Sequence, residues 1–164
     1  MDMKKVYEEY YHTVYGFLIG LTGGDDDLAE ELTQETFYRA IKNARKFRGE
    51  CKMSTWLCQI AKYSFYQYVD KKKRHKEVPL EEAMEAVVGE QLEQSFLQRE
   101  GKISIYKKIQ ELGSPMKDVL LLRLSGELSF REIGDILGKS ENWARVTFYR
   151  GKQIIGRELE KDAE

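Results

Sequence analysis

Glu141, Asn142, Arg145, Val146 and Tyr149 fall at spacings that place them together on the outward side of one helix. Several of these side chains are types that read bases. Arg can pair with a guanine edge, Asn with adenine, and Glu can accept from the cytosine amino group. Lys139, Ser140 and Arg150 lie at the edges of the set, with Lys152 and Arg157 beyond it. The basic members can neutralise phosphates, which supplies affinity without sequence information. Between Lys139 and Arg157 five basic residues face one acidic residue. That positive stretch belongs to a chain of 164 residues whose formal net charge is only −1.

The total hides a segregation. Asp25, Asp26, Asp27, Glu30, Glu31 and Glu35 place negative charge alone between Gly24 and Phe37. From Arg39 to Lys76 twelve basic residues stand against Glu50 and Asp70. Such a stripe is an electrostatic footprint for nucleic acid. Phe47, Trp56, Tyr63, Phe65, Tyr66 and Tyr68 run through it, and basic residues interleaved with rings suit single-stranded DNA, whose exposed bases stack. Trp56 and Phe65 are better assigned to the core than to that surface.

Helices must position these groups. Apolar residues at spacings of three and four predict a helix from Lys4 to Leu21, broken at Gly23-Gly24. Asp25 to Asp27 cap a second helix from about Leu28 to Ala44, with Leu28, Leu32, Thr36, Phe37, Ala40, Ile41 and Ala44 facing a core. After an irregular segment, Ser54 or Thr55 caps a long third helix reaching about Lys73, with Trp56, Leu57, Ile60, Ala61 and Phe65 inward. From Glu77 to Glu100 seven acidic residues accompany one basic one, the composition of a linker.

Apolar periodicity returns at Ile103, Tyr106, Ile109 and Leu112, and Gly113-Ser114-Pro115 ends that helix. Met116 to Leu124 forms the next, broken at Gly126. Ser129 caps Phe130 to Leu137, Gly138 turns the chain, and Ser140 caps a last helix to about Leu159. Two capped helices joined by "GKS" fit a helix-turn-helix, with Ile133, Ile136, Leu137, Ala144, Phe148 and Ile155 inward. The plainer alternative is a helical hairpin with a solvated basic face. The fold class is therefore all-α, two small helical domains on an acidic tether.

Other chemistry finds little support. Cys51, Cys58, His12 and His75 lack zinc-ligand spacing, so no metal or cofactor is expected and the cysteines read as free thiols. No Gly-rich phosphate loop is present, and an enzyme is not expected. No apolar run approaches the ~20 residues that span a bilayer, and the N-terminus does not resemble a secretory signal. A cytoplasmic location is the expectation.

The stretch "DDDLAEELTQETFYRAIKNARKFRGECKMSTWLCQIAKYSFYQYVDKKKR" (Asp25 to Arg74) resembles the sigma-2 domain of bacterial extracytoplasmic-function (ECF) sigma factors, in its acidic cluster, "LTQETF", "FRGE", "TWL" and "IA". Ile103 to about Gly156, including "FREIGDILGKSENWARVTFYRGK", looks like their sigma-4 domain. The resemblance implies a subunit that binds core RNA polymerase and directs it to promoters. Residues 1–76 would form the sigma-2-like domain, 77–100 the acidic linker and 101–164 the sigma-4-like domain. Asp27, Glu30, Glu31, Gln34 and Glu35 would dock on the polymerase. The loop Phe47, Arg48, Gly49, Glu50 and Lys52, with Lys62, Tyr63 and Tyr66, would hold the melted minus-ten strand and a flipped base. The family often has Asn where this chain has Tyr63. Lys139, Ser140, Glu141, Asn142, Arg145, Val146, Tyr149 and Arg150 would meet the minus-thirty-five element as duplex.

The resemblance also implies two modest grips reinforcing each other through a tether. The linker reads equally as a solvated spacer or as a segment steered into a basic channel of the polymerase. Family members commonly pair with an anti-sigma factor that occludes these surfaces. The competing function is an autonomous helix-turn-helix regulator, which leaves the acidic helix and the basic–aromatic stripe without a task.

Overall fold

The computed structural model describes residues 2–76, 100–124 and 128–163. The acidic stretch 77–99, Gly126 and the side chain of Ile103 lie outside the described residues. Seven α-helices and one 3-10 turn make up the described secondary structure.

Helix α1 (Met3–Leu21) opens on Asp2, whose carboxylate accepts from the Lys4 N–H at 3.1 Å. Val14, Phe17, Leu18 and Leu21 are fully buried on its inner stripe. Removing a Leu or Phe side chain of this kind from water contributes about 1.5–3 kcal/mol. The chain reverses through Gly23 (φ 71°) and Gly24 (φ 97°), in left-handed backbone that favours glycine. Asp25 then caps α2 (Asp26–Lys42), its Oδ1 accepting from the Leu28 N–H at 3.0 Å. A single 3-10 turn, Ala44–Lys46, leads to the loop before α3 (Met53–Lys76). Leu57, Cys58, Ala61, Phe65 and Val69 form the wholly buried stripe of α3, and the three helices pack pairwise.

The second half comprises α4 (Glu100–Glu111), α5 (Met116–Leu124), α6 (Phe130–Leu137) and α7 (Glu141–Ala163). Ser129 caps α6, its Oγ accepting from the Glu132 N–H at 3.1 Å, and α6 ends at Gly138 in left-handed backbone (φ 70°). Ser140 Oγ accepts from the Trp143 N–H at 3.0 Å at the start of α7. Helix α7 packs on α4, α5 and α6. At Gly151 it lies close on α5, where a Cβ would come 2.4 Å from Leu120 Cδ1. Residues 117–122 of α5 are all buried, as expected of a short helix with neighbours on every side.

The halves are in contact. Helix α3 packs against α6 and α1 against α5, and Gln110 donates to the Gly20 carbonyl across the junction at 2.8 Å.

Three local expectations need correction. Ser54 and Thr55 lie inside α3, after Met53, and Ser54 donates its hydroxyl to Glu132 of α6. Ile41 was expected to face the core but is 56% exposed, because Ala40 and Phe37 take the inward positions of that turn. The last helix runs one turn beyond Leu159, where Asp162 meets Lys108 of α4 at 3.2 Å.

Candidate functional site

Three surfaces carry the residues singled out by sequence. On α2, Asp27, Glu30, Glu31 and Gln34 are exposed, while Glu35 is half-buried. Gln34 donates to the Tyr7 hydroxyl at 3.0 Å. Glu35 accepts from Arg39 Nη2 at 2.7 Å, and Arg39 also donates to Gln67 of α3. Four residues thus present an outward row and the fifth ties α2 to α3. Tyr38 (58% exposed) and Ile41 continue the row at helical spacing, and the Lys42 ammonium lies 4.9 Å from the Tyr38 ring centre. Sequence reasoning missed this apolar extension. The signal that could have found it is the register Asp27, Glu31, Gln34, Tyr38, Ile41.

The second surface spans the loop before α3 and the face of α3. Phe47 is half-buried, its ring centre 4.9 Å from that of Trp56, so it serves as a packed base for the loop. Arg48, Gly49, Glu50 and Lys52 are exposed, and Gly49 adopts φ 74°. Tyr63 is 59% exposed, with the Arg39 guanidinium 5.1 Å from its ring centre. A ring open on one side and backed by a cation is a competent stacking platform. Lys62 and Tyr66 are half-buried against the second half of the chain. The Tyr66 hydroxyl donates to Asp118 Oδ1 at 3.0 Å, and Lys62 Nζ stands 4.0 Å from Asp118 Oδ2. Lys52 Nζ stands 3.7 Å from Glu132 Oε1.

These neighbours set the protonation behaviour of the junction. Burial pushes the Asp118 carboxyl above its usual range, opposed by the Lys62 charge, the Tyr66 hydrogen bond and Lys117. Burial lowers the Lys117 ammonium, opposed by Asp118, and raises Tyr66. Burial works against the Glu132 carboxylate too, but hydrogen bonds from Ser54 and Ser129 and the charge of Lys52 hold it below the usual range. No local sequence pattern marks Asp118 or Glu132 as partners of the basic stripe. They meet it only through tertiary contact.

On the third surface Lys139, Ser140, Glu141, Asn142, Arg145, Val146, Tyr149 and Arg150 are all exposed, on one side of the turn and of the first turns of α7. Arg145 Nη2 pairs with Glu141 Oε1 at 3.1 Å, and Lys139 Nζ lies 5.6 Å from the Trp143 ring centre. Phe130 packs against Phe148 and Tyr149, with ring centres 5.5 and 6.2 Å away. Ile133, Ile136, Ala144, Phe148 and Ile155 are buried behind this face. The turn itself is fixed sterically, since a Cβ on Gly134 would lie 2.7 Å from the Lys139 carbonyl oxygen.

Among the described residues no cluster of three or more His, Cys, Asp or Glu could hold a metal ion, and no helix is long and apolar enough to cross a membrane. Cys58 is fully buried, its thiol pushed up to about 12 chiefly by desolvation, which keeps it a poor nucleophile.

Among the described residues, all in helices and turns, a capped helix-turn-helix at one end and a segregated acidic and basic–aromatic bundle at the other are the features of a nucleic-acid-binding transcription factor. Residues 6–75 match the sequence profile of Sigma-70 region 2. The ECF RNA polymerase sigma factor SigM of Bacillus subtilis (strain 168) is 32% identical over 156 residues, covering 94% of this chain and 93% of that protein. RNA polymerase sigma factor YlaC of the same organism is 27% identical over 165 residues, covering 99% and 95%. The fold resembles that of the sigma factor RpoE from Bartonella quintana, solved in complex with the anti-sigma factor NepR. The TM-score is 0.70 at 17% identity, over 97% of each chain. The chain belongs to the ECF subfamily of the sigma-70 family, and it is an RNA polymerase sigma factor acting in promoter-specific transcription initiation.

Proposed function

We propose that this sigma factor divides its work as follows. Residues 1–76 dock on core RNA polymerase through Asp27, Glu30, Glu31 and Gln34, and hold the melted minus-ten strand through the loop Phe47–Lys52 with Lys62, Tyr63 and Tyr66. Residues 101–164 read the minus-thirty-five element as duplex through Asn142, Arg145 and their neighbours. Residues 77–100 tether the two.

The observation that carries this division is the exposed face of α7, where every residue assigned to base or phosphate contact is exposed while the alternate positions build the core. That face has the shape and chemistry of a major-groove reader. The outward acidic row of α2 supports docking on a positively charged partner, and the open Tyr63 ring supports base stacking. Glu35, held by Arg39, acts on docking indirectly, by fixing α2 on α3.

The chain works without chemistry of its own, in the cytoplasm, as a positioning subunit. An anti-sigma factor is a fitting regulator, as the structurally similar RpoE was solved with one. In vitro transcription over a randomised promoter library, with core polymerase and the full chain, tests the whole reading. Transcription confined to promoters sharing two separated elements supports it. An autonomous regulator would bind DNA yet fail to co-purify stoichiometrically with core enzyme or to confer any initiation.

A further inference from the structure

Arg39 and Tyr63 face each other across the seam of α2 and α3, each with a polar partner one turn away on its own helix. Arg39 Nε and Nη2 donate to Glu35 Oε1 at 3.1 and 2.7 Å, and Nη2 also donates to Gln67. Glu35 lies four residues before Arg39 on α2, and Gln67 four residues after Tyr63 on α3. The guanidinium is thereby held from both helices, its carbon 5.1 Å from the centre of the Tyr63 ring. The Arg39 backbone is fixed as well, its carbonyl accepting from the Asn43 N–H at 3.0 Å and from Asn43 Nδ2 at 2.8 Å. The Arg39 side chain is 26% exposed, whereas more than half of Tyr63 is open to solvent.

The two side chains are thus suited to different tasks. Hydrogen bonds from a guanidinium run in its plane, so a planar cation committed in that way keeps its flat face for a ring. An arginine that grips phosphate uses the same in-plane donors. In Arg39, Nε and Nη2 are taken by protein acceptors, and the Glu35 carboxylate offsets the charge that would draw a phosphate. Tyr63 instead presents an open ring. An exposed ring loses rotamer freedom when a base stacks on it, and a fixed cation against the ring restricts that freedom before the strand arrives.

We propose that Arg39 is a positioning residue for strand capture: it touches no nucleotide and acts through Tyr63, holding that ring ready to stack on an unpaired base. The proposal rests on the reading that α3 and its preceding loop hold the melted strand. Because Glu35 shares the clamp, the platform is registered to α2, the helix assigned to docking. Docking surface and stacking ring are thereby held in one frame. A base met on its face is gripped without regard to its edge, so this contact supplies hold and not sequence.

The test uses the full chain with saturating core polymerase and partly single-stranded DNA from a promoter that the wild-type chain transcribes. Tyr63→Leu should weaken strand binding about fivefold or more, as loss of a stacking ring does. Arg39→Ala and Arg39→Lys should each weaken it about two- to fivefold, the span of one exposed cation–π contact. Lysine keeps the charge but not the planar fork, so it does not restore the clamp. On the Tyr63→Leu background both Arg39 substitutions should weaken binding by less than about twofold more, since their effect runs through the missing ring. The slope of log affinity against log salt should match wild type throughout. Circular dichroism checks each variant for folding, and Arg39→Lys keeps the experiment decisive if Arg39→Ala does not fold. A slope shallower by about 0.7 in Arg39→Ala, with wild-type affinity in Arg39→Lys, makes Arg39 a phosphate contact and overturns the proposal. An equal loss from Arg39→Lys with and without the Tyr63 ring marks general loosening of the seam and overturns it too. So do Arg39 variants that bind as tightly as wild type while Tyr63→Leu does not. If Tyr63→Leu itself binds the strand undiminished, the strand-contact reading of Tyr63 fails and takes the positioning role with it.

Discussion

Arg145 is held by Glu141 one turn before it, guanidinium to carboxylate at 3.1 Å, with the Phe130 ring centre 5.4 Å from its guanidinium carbon. The pair pre-orders a long side chain that would otherwise lose rotamer freedom on binding. Arg145→Ala is expected to cost about 1–3 kcal/mol of discrimination at a single base pair of the minus-thirty-five element. Competition binding against a panel of singly substituted promoters checks it. An equal loss on every sequence would reduce Arg145 to a phosphate contact.

Glu31 stands in the middle of the outward row of α2 and is fully available to a partner. Glu31→Lys reverses that charge and should weaken core polymerase binding by about tenfold or more, through like-charge repulsion at a complementary interface. Duplex DNA affinity of the full chain should stay within about twofold, because α7 lies on the other half. Titration of labelled chain with core enzyme, beside the same titration with duplex DNA, measures both.

Two glycines of the second half should behave oppositely when given a methyl group. At Gly134 the new Cβ would lie 2.7–2.9 Å from backbone atoms of Lys139 and Ser140, which cannot swing aside. Gly134→Ala should destabilise by about 1–3 kcal/mol or more and loosen the turn that sets α7. Gly156 lies inside α7 with open space around it. There Ala should stabilise by roughly 0.5–1 kcal/mol. Urea denaturation of the two variants decides between them.

Glu132 gives the junction a pH dependence of defined sign. Its folded-state carboxyl lies below the ordinary 4.5, so the stability it contributes is present above that pH and lost as pH falls through the folded value. The groups facing it are Lys52, Ser54, Ser129 and, by charge, Tyr10 and Cys58. Asp118, shifted upward by burial, has the opposite sign: its protonation favours the folded form. The stability gap between wild type and Glu132→Gln should therefore be largest near neutrality and close below pH 4.5. Denaturation midpoints across pH 3–7 measure the gap, and a gap unchanged with pH would contradict the depressed carboxyl.

Much of this architecture is legible in the sequence. Met116–Leu124 and Phe130–Leu137 fall where Pro115, Ser129 and Gly138 punctuate the chain, since caps and left-handed turns are local events written in single residue types. The exposed set on α7 followed from helical spacing alone. Ser54 reads as a cap in the sequence because a hydroxyl early in a helix looks the same whether its partner is a nearby N–H or a carboxylate 78 residues away. Ile41 was misplaced because Ala40 and Phe37 already fill that turn of the core, and an apolar side chain does not announce which neighbour won. Asp118 lies in a run of apolar residues with no period to read. Its pairing with Lys62 and Tyr66 depends on how two halves meet, and sequence periodicity is silent on that.

Helix α7 divides its positions cleanly. Ala144, Thr147, Phe148, Gly151 and Ile155 are buried, and Asn142, Arg145, Val146 and Tyr149 are exposed. Substitutions at Asn142, Arg145 and Val146 spare the buried positions, so on the proposed reading of this face a descendant gene can trial new promoter preferences without first risking its fold. Duplicated copies of such a gene could drift toward separate regulons by changing a few codons on one helix face, while the machinery that recruits them stays common to all.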